Sequence, residues 1–391
     1  MSQPYSPVNA PRRLVQHSSH QHALKIILGL FALMIAALLG LIVLLLIGAE
    51  TGPVELVIGL ICATLPVPIY VVLLLWIDRY ESEPLWMLAT AFLWGALVAV
   101  FIAFILNTLN GAIVTAATNS VQIGENFGAV ISAPIVEESA KAFILLLLFF
   151  KRDEFDGIVD GIVYAGMVGL GFAMTENILY YGRAVHAGPE SLTFTFILRG
   201  MAAPFSHPLF TSMTGIGLGW SRQSDNGFIK VVMPVLGFML AIFLHGTWNG
   251  TATYGGAVGF FAAYFLVMGP ALIITLMVIF FSLRREGRIV RQFLYPDYQR
   301  GFFDPIDYQK LGSIRGRMGT SWNAMTTRGF SGWRARMRYN QICSELAFHR
   351  NRVARGFVRD ANFAKEREED YLYTLLELRQ KLGMIVPNIP R

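Results

Sequence analysis

Long apolar stretches dominate this chain between Ala23 and Leu283, and they constrain its fold more than any other feature. A helix needs about 20 consecutive apolar residues to cross the hydrocarbon core of a bilayer. Backbone polar groups must be satisfied inside lipid, so repeated stretches of this length indicate a bundle of spanning helices. We therefore predict an all-α polytopic membrane protein with about eight spans, over residues 24–48, 54–76, 84–107, 127–150, 155–181, 194–220, 228–250 and 257–282.

Lys and Arg determine the predicted orientation, since short loops with an excess of them stay in the cytoplasm. Eight spans place both termini on one side. Most basic residues of the connecting loops fall on that same side, at Arg79, Lys151, Arg152, Arg222 and Lys230, whereas the opposite loops hold only Arg183 clearly outside a span. We predict an integral plasma-membrane protein with both termini cytoplasmic, divided into an N-terminal segment (1–23), a transmembrane bundle (24–283) and a basic tail (284–391).

The tail differs from the bundle in charge. It holds 21 of the 32 Lys and Arg but only 11 of the 26 Asp and Glu, a net charge of +10. Such a segment favours the anionic lipid of the inner leaflet. Loop structure is expected over 293–333, followed by two amphipathic helices on either side of Gly356. Nucleic acid is not an expected partner, because the Arg residues are interleaved with acids and no recognition motif accompanies them.

Ionisable side chains lie inside the predicted spans, where each costs roughly 2.5–3.5 kcal/mol on insertion scales. Glu137, Glu138 and Lys141 share the fourth span, and on a helix Lys141 can reach either carboxylate. One carboxylate is then left over and must find a cation, a metal, a proton or water on a neighbouring helix. Adjacent acids in a low dielectric share charge unequally, which suits a general acid or base.

The next three spans supply candidate partners. Glu176 and Asn177 lie near the end of the fifth span. His207 precedes a proline in the sixth, which predicts a broken helix at membrane depth. His245 and Asn249 are four residues apart in the seventh, on one helix face. An imidazole can hold a metal or orient water, and a carboxamide can stabilise an oxyanion, so the pattern predicts one polar site shared by these spans.

Taken in order, these motifs resemble those of the PrsW intramembrane proteases. They are Glu-Glu-x-x-Lys at 137–141, Phe-x-x-x-Glu-Asn at 172–177, an isolated His at 207 and His-x-x-x-Asn at 245–249. The acidic loop at 78–84 is similar as well. That family belongs with the CAAX prenyl proteases and bacteriocin-processing membrane proteins, in which an Arg stands one residue after the position of Lys141 and a His stands where this chain has Glu176.

The resemblance implies an all-helical bundle that hydrolyses a peptide bond in or beside the membrane, with a single-pass membrane protein such as an anti-sigma factor as substrate. Glu137 or Glu138 would deprotonate a water, and Asn249 would stabilise the oxyanion. His207 and His245 would orient the water or, with Glu176, bind a divalent metal such as zinc. No His-Glu-x-x-His spacing is present, so both mechanisms stay open. The supporting residues are Lys141, Phe172, Glu176 and Asn177.

Two other classes of function fit part of the sequence. Intramembrane acids and histidines also build proton or ion relays in transporters. Transporters commonly show repeated halves with matching broken helices, and no such repeat is visible here. A non-catalytic membrane scaffold would instead bind a partner through the basic tail. The protease is the preferred prediction, because the polar residues occupy four consecutive spans.

Overall fold

A computed structural model of the chain describes residues 19–152, 154–358 and 360–385. Most of the predicted N-terminal segment, residues 1–18, lies outside them. The described residues form helices and connecting loops with no strand. In chain order the helices are α1 (Ser19–Thr51), α2 (Pro53–Ile77), α3 (Leu85–Thr118), α4 (121–149), α5 (Ile158–His186), α6 (189–202), α7 (Ser206–Gln223), α8 (Gly227–Tyr254), α9 (Gly256–Gln299), α10 (Pro305–Leu311), α11 (Ile314–Ala354) and α12 (Ala361–Lys381).

Six of the described helical segments are long and apolar enough to cross a membrane, and they lie in α1, α2, α3, α5, α8 and α9. This confirms an all-α polytopic membrane protein. The fourth and sixth predicted spans correspond to α4 and to α6 with α7. Four charged residues, Glu125, Glu137, Glu138 and Lys141, reduce the apolar character of α4, and the run from α6 to α7 is interrupted at residues 203–205. The count of eight spans therefore stays a prediction.

Helix α5 lies at the centre of the bundle and is almost entirely buried. Its stripe of small residues lets α7 approach closely. A Cβ atom on Gly161 would lie 2.1 Å from the carbonyl oxygen of Gly215, and one on Gly169 would lie 2.7 Å from the backbone of His207 and Pro208. Small residues are what allow helix backbones to approach this closely in membranes. The stripe thus fixes α7 against the helix that carries Glu176.

The helix break expected at His207 lies slightly earlier in the chain. The backbone departs from helical geometry at residues 203–205, and α7 begins at Ser206, so that His207 and Pro208 occupy its first turn. A proline is tolerated there because its missing N–H would have no helical partner. The proline therefore marks the start of α7 rather than a kink inside it.

The tail is mainly helical, as predicted, but the loop expected over 293–333 is wrong. Helix α9 continues to Gln299 and crosses the predicted boundary at 283/284 without a break. Side chains of Asp304 and Ser313 cap α10 and α11, and these caps explain how helices form in a Gly-rich stretch. Gly356, with a φ of +73°, separates α11 from α12 as expected.

The tail packs directly on the bundle. One continuous apolar core joins Tyr80, Met87 and Phe155 of the bundle to tail residues such as Cys343 and Leu346. The contact surrounds the loop between α2 and α3 and the loop between α4 and α5.

Candidate active site

Glu138 is fully buried and both of its carboxylate oxygens are engaged. Oε1 accepts hydrogen bonds from Lys141 Nζ at 2.9 Å and His245 Nδ1 at 3.1 Å. Oε2 accepts one from Thr211 Oγ1 at 3.0 Å. Helices α4, α7 and α8 therefore meet at this side chain. A buried carboxylate is tolerated only with such complete pairing, so Glu138 acts as the fixed anchor of the site.

The ammonium of Lys141 lies at the centre of the same group. Nζ is 3.5 Å from Glu137 Oε2 and 3.0 Å from His207 Nδ1. It also lies 3.8 Å from the ring centroid of Phe172, a distance at which the ring face attracts a cation. An ammonium can only donate hydrogen bonds, so Nδ1 of His207 must accept and Nε2 must carry the proton.

Nε2 of His207 donates to Glu176 Oε2 at 2.9 Å. Glu176 also pairs with the guanidinium of Arg199. The same guanidinium donates through Nε to Asn177 Oδ1 at 2.6 Å and lies 3.7 Å from the ring centroid of Tyr180. Glu176 and Arg199 together thus hold the outer edge of the His207 ring.

Three polar residues of this network were not selected from the sequence: Arg199, Thr211 and Asn107. Arg199 lies in a π-helical turn at the end of α6. π-Helical turns occur frequently at functional sites. Thr211 stands four residues after His207, so helical spacing from a known site residue is the signal that could have identified it.

Glu137 differs from Glu138 in having a free oxygen. Its Oε1 is 3.5 Å from Asn107 Nδ2. Its Oε2 is buried without a hydrogen-bond partner, although Lys141 Nζ lies 3.5 Å and His245 Nε2 lies 3.8 Å away. A buried acceptor without a donor is costly. It marks the place in the site where a proton, a water or a cation would be stabilised.

One set of metal-ligating atoms converges at this place. Ligand atoms of Glu137, His207 and His245 lie within 4.8 Å of one another. Two imidazoles and a carboxylate form a donor set that holds zinc in catalytic sites, and the unpartnered Glu137 oxygen fits such a role. From the sequence, Glu176 was expected to belong to this set. In the structure Glu176 faces Arg199 and the protonated nitrogen of His207, the position of a carboxylate that orients a ligand histidine.

Asn249 lies apart from the network. Its Nδ2 donates to the carbonyl oxygen of Ala129 at 2.9 Å, within the π-helical turn Gly128–Ser132 of α4. The bond fastens α8 to the turn that precedes Glu137 and Glu138. The expected role of Asn249 at an oxyanion stays a prediction.

A small cleft opens beside His207. It runs along the non-helical backbone at residues 203–205 and includes residues of α5, α6, α7 and α8. The lining residues include Ala173, Asn177, Arg199, Ala203, Pro204 and Trp248.

Comparisons with known proteins identify the family of this chain. Residues 83–279 match the family described as PrsW family intramembrane metalloprotease. The chain is 32% identical over 192 residues to Protease PrsW of Geobacillus kaustophilus (strain HTA426), covering 49% of this chain and 77% of that protein. It is 30% identical over 206 residues to Protease PrsW of Oceanobacillus iheyensis, covering 53% and 86%. It is 33% identical over 172 residues to Protease PrsW of Bacillus subtilis (strain 168), covering 44% and 72%. No solved structure matches the chain.

Proposed function

Because the chain belongs to the PrsW family of intramembrane metalloproteases, we propose that it hydrolyses a peptide bond in or beside the transmembrane segment of another membrane protein. Membership makes it a peptidase. The observation that carries the proposal is the free, buried oxygen of Glu137 beside two histidines, inside a bundle of membrane-spanning helices.

Glu137 is the proton acceptor in this proposal. Peptide hydrolysis requires a water to lose a proton as it attacks the carbonyl carbon, and a positioned carboxylate can take that proton. Glu138 cannot do so without losing contacts, because its two oxygens already accept from Lys141, His245 and Thr211. Glu138 therefore supplies the fixed negative charge that holds Lys141 and His245 in place.

The histidines complete the site. His245 donates through Nδ1 to Glu138, which leaves Nε2 directed toward Glu137. His207 is oriented by Glu176 on one nitrogen and by Lys141 on the other. Glu137 and His245 would hold a divalent metal such as zinc, and His207 would join them through Nδ1 only after Lys141 Nζ releases that nitrogen. When bound, the metal would lower the pKa of a coordinated water and polarise the scissile carbonyl. The ammonium of Lys141 provides a positive charge close to where an oxyanion would develop.

The substrate in this proposal is a single-pass membrane protein such as an anti-sigma factor. Its peptide would enter through the cleft beside residues 203–205, where irregular backbone at membrane depth can border a cavity. From the distribution of Lys and Arg, we place both termini of the protease in the cytoplasm of a plasma-membrane protein.

The test compares Glu137→Gln, Glu138→Gln and Ser139→Ala in the purified full chain. Ser139 is an exposed neighbour whose hydroxyl bonds only to the Ile135 carbonyl of its own helix, so its replacement is the control. Cleavage of candidate single-pass proteins and thermal unfolding are both measured. Glu137→Gln should abolish cleavage with little loss of stability, because it removes an oxygen that accepts no hydrogen bond.

Glu138→Gln should lose both cleavage and stability, the latter by about 3–5 kcal/mol, because it breaks a buried ion pair. Wild-type turnover by Glu137→Gln would refute the assigned proton acceptor. Metal content and the effect of a chelator, measured on the wild-type protein and on His245→Ala, test the metal set separately. Retained metal and retained activity in His245→Ala would exclude that set.

A further inference from the structure

The first half of α11 presents an apolar face that no other part of the described chain covers. Met318, Trp322 and Met325 are 51%, 69% and 36% exposed. They are spaced by four and three residues, so at 100° per residue they lie on one face of the helix. Arg317 and Ser321 on an adjacent face are buried in the tail. The helix therefore has one face packed in the tail and another, apolar face directed outward.

This part of α11 lies close to the membrane boundary. Residues 78–84 connect two membrane-spanning segments, α2 and α3, and so lie where these helices leave the lipid. Arg317 Nη2 donates to the carbonyl oxygen of Arg79 in this loop at 3.1 Å, and its guanidinium lies 4.6 Å from the ring centroid of Tyr80. At the far end of α11, Arg352 pairs with Glu81 of the same loop. The tail is thus attached at two points to the membrane face of the bundle.

The charged residues in and around this part of α11 are all basic. Between Asp307 and Glu345 the chain contains seven Lys and Arg and no Asp or Glu. Two of the seven, Arg317 and Arg336, are buried in the tail. The five exposed ones are Lys310, Arg315, Arg328, Arg334 and Arg338. Of these five, only Arg315 and Arg328 share the first part of α11 with the apolar face, because Lys310 lies in α10 and the non-helical backbone of Gly329 separates Arg334 and Arg338 from it. Bulky apolar residues on one helix face with basic residues nearby are typical of segments that lie in the plane of an anionic membrane surface.

We propose that this face of α11, formed by Met318, Trp322 and Met325, lies on the anionic phospholipid headgroups at the membrane face from which the tail emerges. Three observations select lipid as the occupant. The face is next to the loop that marks the membrane boundary, and the exposed charged residues around it are all basic. It also includes a Trp, a residue that is enriched at membrane–water interfaces. An acidic protein would match the charge but would not explain the position of the face.

The binding has a structural consequence. Arg317 and the apolar face belong to the same helical turns, so headgroup contact would hold α11 and the loop at 78–84 in one arrangement. The lipid composition would then influence how firmly the tail is held on the bundle.

The test uses full-length protein in nanodiscs with a fluorophore attached to Met325→Cys or, as the control, Thr327→Cys. Thr327 is exposed on the same helix, 200° from Met325 at 100° per residue. Cys62→Ala forms the background. Cys343 is fully buried, and burial raises the pKa of its thiol, so it does not compete for the label.

Nanodiscs of phosphatidylcholine alone are compared with nanodiscs that also contain phosphatidylglycerol, each with brominated acyl chains that quench a nearby fluorophore. With phosphatidylglycerol, the label at Met325→Cys should be quenched several-fold more than the label at Thr327→Cys, and high salt should reduce the difference. Equal quenching at the two positions in both lipids would overturn the proposal. Equal quenching of Met325→Cys with and without phosphatidylglycerol would overturn its anionic specificity. Shielding seen only on addition of an acidic peptide would replace lipid by a protein partner. These readouts do not involve cleavage, so they are independent of the proposed proteolysis.

Discussion

Gly169→Ala should damage the site without touching any of its polar groups. A Cβ at this position would lie 2.7 Å from the backbone of His207 and Pro208, whereas most real Cβ contacts are 3.4 Å or longer. The first turn of α7 must therefore move by 3.4 minus 2.7, about 0.7 Å, relative to α5. Overpacking of this kind costs typically 1–3 kcal/mol of stability. Because misplacement by about 1 Å can cost 100-fold in rate, we expect cleavage to fall 10- to 100-fold.

Gly166→Ala is the matched control, since Gly166 lies on the same helix three residues earlier. Its Cβ would meet only the end of the Leu74 side chain, at 2.6 Å, and a leucine terminus can move aside. Both variants are assayed for thermal unfolding and for kcat with a cleaved membrane substrate. Gly169→Ala should lose kcat far beyond any change in Gly166→Ala. Full activity of a folded Gly169→Ala protein would refute the view that the α5–α7 crossing sets the position of His207.

Three further predictions concern contacts other than those of Glu137 and Glu138. Arg199→Lys should lower kcat about 10- to 100-fold, because a lysine cannot keep the forked contacts with Glu176 and Asn177. Arg183→Lys, at an exposed Arg–Glu pair, should change nothing. Arg352→Gln should destabilise the tail by about 1–3 kcal/mol, seen as faster hydrogen exchange in α11, because it leaves the half-buried carboxylates of Glu81 and Asp156 without this cation. Burial raises the pKa of Glu83 well above its ordinary value, so the folded state holds a proton that the unfolded state releases. The protein therefore loses stability as pH rises above the ordinary carboxyl pKa. Glu83→Gln should unfold at a higher temperature than wild type at pH 8, and the difference should shrink toward pH 5.

The sequence predicted best those contacts that involve charged residues inside the membrane-spanning segments. Charged residues inside apolar stretches are so costly that Glu138, Lys141 and His245 could be expected to meet. The structure joins them through direct hydrogen bonds. The stripe of small residues in α5 is also visible in the sequence, because small residues every four positions let membrane helices approach closely.

Contacts between helices that are distant in sequence could not be predicted from the sequence. Asn249 stands one turn after His245, and spacing alone directs both to one site, yet its amide bonds to a carbonyl freed at a π-helical turn. Such a turn has no clear sequence signature. The tail helices were missed for a different reason: their apolar faces are split between the tail core and the surface, so no single period dominates, while the caps at Asp304 and Ser313 carry the signal.

The two adjacent glutamates have different roles because they are adjacent. Consecutive residues on a helix point about 100° apart, so Glu137 and Glu138 cannot share the same neighbours. Glu138 faces α7 and α8, where Thr211 and His245 satisfy it, whereas Glu137 faces Asn107 of α3 and keeps one oxygen free. Lys141 is near both but closer to Glu138, at 2.9 Å against 3.5 Å. One carboxylate thereby neutralises the lysine and fixes a histidine, so the other can stay available to a proton or a cation. Neither residue can replace the other, and a chain that retains Glu137 but loses Glu138 should lose the arrangement that makes Glu137 useful.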